Sequence, residues 1–181
     1  SKLSQDYLPT PSSCLITGIT PQEVNEKGIC EAEFIRKLRA EFMMPGTIAA
    51  GYNSIGFDDE VIRNTLYRNL YDPYEREYRN GCSRWDIINL VRATRDLRPE
   101  GLVFTTLNEE TGAPSFKLTD LTAENNIEQV GAHDALVDVR ATIAIAKLIK
   151  EKQPNLYAWA IGHRTKNEIT KEINVLAHQP F

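Results

Sequence analysis

Ala132-His133-Asp134-Ala135-Leu136-Val137-Asp138 opens a long helical pattern whose reading decides the fold. Leu136, Val139, Ile143 and Ala146 recur at the three- and four-residue steps of one helix face, and the pattern runs from His133 to Lys152, just before Pro154. This spacing predicts a core stripe on that face. Asp134 and Asp138, four apart, share a side of the helix. His133 lies roughly 140° around the axis from Asp138 at 3.6 residues per turn, yet from the first turn it can fold back toward whatever Asp138 holds. A carboxylate beside an apolar stripe is costly unless something pairs with it. A metal ion would answer that need, and so would an arginine at the helix edge.

Upstream, Gly51-Tyr52-Asn53-Ser54-Ile55-Gly56-Phe57-Asp58-Asp59-Glu60 is the second informative stretch. Thr47 to Tyr52 reads as a short buried strand, Ser54-Ile55-Gly56 as a turn, and Asp58 to about Leu70 as a helix with Val61, Ile62 and Leu66 inward. This strand, turn and carboxylate make a metal-facing edge. Asp58 is also favoured at a helix start by the dipole alone, and Asn53 can brace a turn with no substrate role. Asp58-Asp59-Glu60 is formally an Asp-x-Glu. On a helix, however, residues two apart point to different sides and could not grip one ion together.

The rest of the chain is mostly helical in pattern. Thr20-Pro21-Gln22-Glu23 is a capped helix start. Phe34, Ile35, Leu38 and Phe42 share a helix face that Pro45-Gly46 ends. Ser83 to Arg95 is a helix candidate with Asp86 as its cap, and Ser115 is expected to cap a short helix through Asn125. Ser1 to Cys14 reads as irregular, and Asn108 to Pro114 as an exposed loop. Strand content is low, with one central strand and one or two weak ones. His163 and His178 carry no partner pattern and are taken as surface residues; the cysteines, Met43 and Met44 are taken as core filler.

At 181 residues, 41% hydrophobic and 25% charged, the chain suits one domain with a real core. No run approaches the roughly 18 apolar residues of a membrane span, and no signal peptide is visible. Three cysteines without a CxxC spacing argue for a reducing compartment, the cytoplasm by default, and against a zinc site or disulfide framework. A net charge of −4 argues against a protein that simply coats nucleic acid, but not against a nuclease, whose metal-binding carboxylates add to the acid total. From Arg63 to Arg98 there are eight arginines against five acidic residues, interleaved with Tyr67, Tyr71, Tyr74, Tyr78 and Trp85. That mixture suits a groove that tracks phosphates and stacks bases. A solvated helix face over a tyrosine-rich core has the same composition.

The order of these stretches resembles a known family. Residues 51–60, followed by Val61-Ile62-Arg63-Asn64, resemble the second motif of the DEDD 3′–5′ exonucleases. Ser83 to Arg92 is similar to the strand-and-helix segment that follows it. His133-Asp134-Ala135-Leu136-Val137-Asp138-Val139-Arg140-Ala141-Thr142 resembles the third motif of the histidine-bearing, DEDDh branch. Leu15 to Glu23, Tyr67 to Tyr74 and Leu97 to Gly101 are also family-like, and nearly the whole chain is covered. Within the branch, the pattern is most similar to the bacterial single-strand-specific exodeoxyribonucleases.

The resemblance implies an α/β, RNase H-like exonuclease domain that removes nucleoside monophosphates from the 3′ end of single-stranded DNA with two Mg²⁺ ions. Asp138 and Asp58 would be metal ligands, Asp58 directly or through water, and His133 the general base. Asn53, Arg63, Tyr74, Tyr78, Arg92 and Lys117 would line the path of the strand. Tyr78 stands where a larger aromatic is expected, which keeps stacking. Lys117 stands where arginine is expected, which loses bidentate phosphate recognition. A single-stranded-DNA-binding protein is a further implied partner, and no membrane is.

The family's first motif, a strand-borne Asp-x-Glu, is not found here. The expected domain, residues 1–174, therefore carries the second and third motifs only, is N-terminally truncated and reads as helix-rich. Residues 175–181 would begin a linker to an SH3-like domain. Two alternatives follow. The chain alone could be a catalytically incomplete nucleic-acid-binding fragment. An RNA-directed relative is the other, against which the arginine–tyrosine segment at 67–79 and the Leu97 to Gly101 tract argue.

Overall fold

The computed structural model describes residues 1–3, 8–128 and 135–173. His133 and Asp134, and the expected linker at 175–181, lie outside the described residues.

Three helices lead into the sheet: α1 (Pro11–Thr17), α2 (Pro21–Lys27) and α3 (Glu31–Phe42). In α2 the Thr20 hydroxyl accepts from the Glu23 amide at 3.2 Å, the cap expected from the sequence. The expectation of an irregular start fails at α1. There the Thr10 hydroxyl caps the Ser13 amide, and a left-handed Gly18 closes the other end.

Strand β1 (Ile48–Gly51) is followed by a 3₁₀ turn at Ser54–Gly56 and helix α4 (Asp58–Arg68). Strand β2 (Ser83–Asp86) then runs parallel to β1, with Ile48 opposite Ser83 and Gly51 opposite Asp86. A parallel pair requires such a crossover between its strands. The residue pattern alone makes Ser83 to Arg95 one helix candidate, whereas the resemblance implies a strand and then a helix; the structure has the latter, with α5 running from Ile87 to Leu97. Four residues of an apolar–polar mixture do not decide between strand and helix, and pairing with β1 decides it. Helix α6 (Leu118–Glu124) starts later than expected. Ser115 is not its cap; instead the Ser115 hydroxyl hydrogen-bonds the Asp120 carboxylate.

The long helix α7 (Ala135–Lys152) packs against α5, α6 and the following α8 (Pro154–Gly162); α9 is Lys166–Glu172. The core joins Ile87, Leu90 and Val91 of α5, Leu121 of α6, and Ile145 and Ile149 of α7. Each such side chain, fully buried, contributes roughly 1.5–3 kcal/mol. Trp85 meets Tyr157 edge-on at 5.3 Å and extends this core toward β2.

The expected stripe on α7 is therefore corrected. Leu136, Val139 and Ile143 are about half exposed, whereas Ala141, Ile145 and Ile149 are buried. The two sets lie on nearly opposite faces, since residues two apart are separated by about 200°. Both faces are apolar, so periodicity alone could not choose between them. Val61 is likewise exposed, while Leu66 is buried as expected. Of the presumed core fillers, Cys82 is buried, but Cys30 and Met44 are exposed.

Candidate active site

The face of α7 that the core leaves uncovered borders an open cleft of about 1470 Å³, whose other wall is built from β1 and the 114–118 segment. Five of the sequence-derived site residues line this one cleft: Asn53, Asp58, Arg92, Lys117 and Asp138. They come from a turn, three helices and a loop.

Asp58 is the first residue of α4 and is exposed. No side chain caps this helix, and the positive end of its dipole lies at Asp58. Asp138 is half-buried on α7. By the 3.6-residue turn it continues the Ala141–Ile145–Ile149 line toward the helix start, where the core gives way to the cleft. Its main-chain carbonyl accepts from the Thr142 hydroxyl at 2.8 Å.

Asp59, next to Asp58, has the opposite fate. It is 4% exposed and bridges Arg76 at 2.6 Å and Arg84 at 3.1 Å. Glu77 joins the same network through Arg84 at 3.3 Å and through a two-point grip on Arg63 at 2.7 and 2.8 Å. A charge this deep is tolerated because its partners are buried with it. The side chain of Arg76 is 2% exposed and packs over the Phe42 ring, and its Nε has no hydrogen-bond partner among the described residues.

Arg63, Tyr74 and Tyr78 are not among the residues lining the cleft and form a cluster of their own. Hydrogen bonding by Glu77 first, and by Glu60 after it, raises the Arg63 guanidinium above its ordinary value. With Nε and both terminal nitrogens on carboxylates, Arg63 stacks over the Tyr74 ring at 5.0 Å. Tyr74 and Tyr78 are exposed, and Asp72 accepts from the Tyr74 amide at 2.9 Å and the Tyr78 hydroxyl at 3.4 Å.

Across the cleft, Arg92 lies over the Phe116 ring at 5.6 Å, next to exposed Lys117. The Tyr52 hydroxyl donates to the Phe116 carbonyl at 2.6 Å and ties this loop to the end of β1. Burial pushes the Tyr52 phenol up, so it remains a donor.

Two groups were missed by the sequence reading. The Asp59–Arg76–Arg84–Glu77 network joins α4 to residues 75–84, with no local spacing to announce it. Asp86 was read as a helix cap, and it does accept from the Ile88 amide at 3.1 Å. Its carboxylate also accepts from the Asn53 amide at 2.7 Å and the Ile55 amide at 3.1 Å. His163 is also not a bare surface residue. Its ring stacks on Trp159 at 4.5 Å and bonds the Trp159 carbonyl at 2.8 Å and Glu172 at 3.2 Å.

A group of three or more metal-ligating side chains is not found among the described residues. Asp58 and Asp138 are two hard oxygen donors facing one cleft. That donor set suits a cation that takes one or two carboxylates and completes its shell with water and phosphate oxygens. No helix among the described residues is long and apolar enough to cross a membrane.

Comparison with known proteins places this geometry. A family model described as exonuclease, of the RNase T type, matches residues 1–146. Exodeoxyribonuclease I of Haemophilus influenzae is 51% identical over 180 residues, covering 99% of this chain. The chain spans 38% of that relative's length. A crystal structure of Escherichia coli exonuclease I with a dA16 oligonucleotide superposes with a TM-score of 0.87 at 48% identity, over 97% of this chain and 37% of that one. The zinc-ion-bound form of an E. coli exonuclease I–single-stranded-DNA complex has a TM-score of 0.87 at 47% identity, over 97% and 37%. An exonuclease I/SSB-Ct complex has a TM-score of 0.86 at 46% identity, over 96% and 37%. Exonucleases of this type use divalent metals, and the fold is RNase H-like, here helix-rich around a small parallel sheet. By sequence, architecture and the residues gathered in the cleft, the chain belongs to the exonuclease family.

Proposed function

We propose that this chain is the part of a Mg²⁺-dependent 3′–5′ exonuclease that carries its second and third motifs, and that the enzyme releases nucleoside monophosphates from the 3′ end of single-stranded DNA. The observation that carries this reading is the meeting of Asp58 and Asp138, distant in sequence, in one cleft with Arg92 and Lys117. The relative named above is an exodeoxyribonuclease, and two of the neighbouring structures hold single-stranded DNA.

In this reading Asp58 and Asp138 hold metal. Their all-oxygen character favours Mg²⁺ over zinc, which prefers nitrogen and sulfur ligands. When bound, the metal supplies an acidified water and neutralises charge on the scissile phosphate. His133, two positions before α7 in the sequence, takes the proton from the attacking water as general base. Lys117 and Arg92 attract the phosphate backbone, and Asn53 meets the terminal nucleotide from the turn before α4. Tyr74, held by Arg63, and Tyr78 offer faces on which bases stack. A single-stranded-DNA-binding protein is a natural partner, by analogy with the SSB-Ct complex, and the cytoplasm the natural site of action.

A second reading concerns the chain by itself. Among the described residues Asp58 and Asp138 are joined by no third metal-ligating side chain, which fits a nucleic-acid-binding module better than a complete catalyst. One experiment separates them: the intact protein and this chain alone are given 3′-labelled single-stranded DNA with Mg²⁺. The first reading expects mononucleotide release by the intact protein, lost in Asp138→Asn. Full activity of that variant would refute it, and robust activity of the chain alone would refute the second reading.

A further inference from the structure

We infer that Asp86 is a positioning residue for the cleft, setting Asn53 and Asp58 from behind. This rests on the reading of those two residues as part of the active site.

The parallel register places Gly51, the last residue of β1, opposite Asp86, the last of β2. The chain leaving β1 must then pass over the start of α5, where the Asp86 carboxylate sits with 4% exposure. One oxygen accepts from both Asn53 N–H and Ile88 N–H, and the other from Ile55 N–H. A helix cap needs only the Ile88 bond. The other two reach across to a different segment, so the same carboxylate clamps the turn to the helix.

That turn needs a clamp. Asn53 is left-handed, at φ 56° and ψ 29°, a region that residues other than glycine visit sparsely, though asparagine more readily than most. Its side chain makes no capping bond to the turn, so the conformation is not held locally. The turn also folds tightly back on the strand: a Cβ on Gly51 would stand 2.7 Å from Ser54 Cβ. Only Gly56 and Phe57 separate the clamped Ile55 from Asp58. A shift of the clamp therefore moves Asn53 and the first turn of α4 together. Asp86 itself does not line the cleft, so its effect on the reaction passes through these residues.

The test uses the intact protein and two variants. In Asp86→Ser the hydroxyl still caps Ile88 but is too short for Asn53 and Ile55. Asp86→Asn keeps an acceptor for Asn53 and Ile88 and turns a donor toward Ile55. In metal-free protein, amide exchange at residues 53 and 55 should accelerate at least about tenfold in Asp86→Ser, while Leu90 and Val91 of α5 stay protected. On single-stranded DNA with Mg²⁺, kcat should fall about 10²-fold, the scale of a small misplacement, with KM for DNA moving far less. The half-saturating Mg²⁺ concentration should rise, and Asp86→Asn should fall between wild type and Asp86→Ser on each measure. A variant that merely melts earlier, with kcat and Mg²⁺ dependence unchanged, would make Asp86 a cap only and overturn the inference. If Asp86→Ser fails to fold, Asp86→Asn decides by the same split. Asp58→Asn is measured alongside. If it retains full kcat, the reading of the site fails and this inference with it. If it is inactive while both Asp86 variants turn over normally, only the positioning role fails.

Discussion

The two faces of α7 have similar apolar residues and different surroundings. Ala141, Ile145 and Ile149 are sealed by α5, α6 and α8, whereas Leu136, Val139 and Ile143 stand half exposed, the last two along the cleft. Asp138 lies where the first face runs out into the second. Carboxylate chemistry needs such a border, rigid on one side through packing and open on the other to water and phosphate. The pair Asp58 and Asp59 repeats the contrast on α4: both border the cleft, but Asp58 is exposed and Asp59 is buried and locked among arginines.

The largest expected effect is at the border itself. Asp138→Asn should lower turnover of single-stranded DNA by roughly 10³-fold or more, about 4 kcal/mol in the barrier, with little change in melting temperature. Single-turnover kinetics and a thermal melt measure the two parts. A large loss of stability instead would move Asp138 to the structural side of the comparison.

On the sealed face, Ile145→Ala should cost about 3 kcal/mol by denaturant unfolding, the usual scale for an aliphatic core truncation. Tyr52→Phe breaks the bond to the Phe116 carbonyl and should cost about 1 kcal/mol, while weakening DNA binding through the displaced Lys117 loop. Ile143→Ala, on the cleft face, should cost no more than about 0.5 kcal/mol. A cost equal to that of Ile145→Ala would mean that this face is covered in the intact protein, and the comparison would break.

The smallest effect is a pH dependence away from the cleft. The Trp159 carbonyl, opposed by burial and aided by Glu172, raises the His163 pKa above its ordinary 6.5. Folding therefore favours the protonated ring. This contribution is complete below about pH 6.5 and is lost as pH rises through the higher folded value. The difference in melting temperature between wild type and His163→Phe, which keeps a stacking ring, should shrink from pH 6 to pH 8.

Much of this was legible in the chain. Thr20 and Glu23 announced α2, the Gly51 to Glu60 stretch announced a strand, turn and helix, and the His133 to Asp138 stretch announced α7 and its acidic start. Local signals of this kind, such as caps, breakers and periodicity, act over a few residues and can be read there. What could not be read depends on partners far away in sequence. The residue pattern alone leaves Ser83 to Asp86 inside a helix candidate, and only the family resemblance points to a strand, which forms because β1 lies beside it. The buried face of α7 was selected by α5 and α6, since two apolar stripes satisfy the same periodicity.

The amino-acid sequence by itself determined the family, the order of the motifs and the residue types that could hold a metal. The family came as a resemblance carried by the order of those motifs, and the metal-holding residue types follow from side-chain chemistry. Only the tertiary structure decided which of two adjacent aspartates is buried among arginines and which face of α7 is buried. It also showed that Asp86 grips a turn thirty-odd residues before it. The reason is physical: burial and hydrogen-bond partnership belong to pairs of segments, and they exist only once the register of β1 on β2 has brought those segments together.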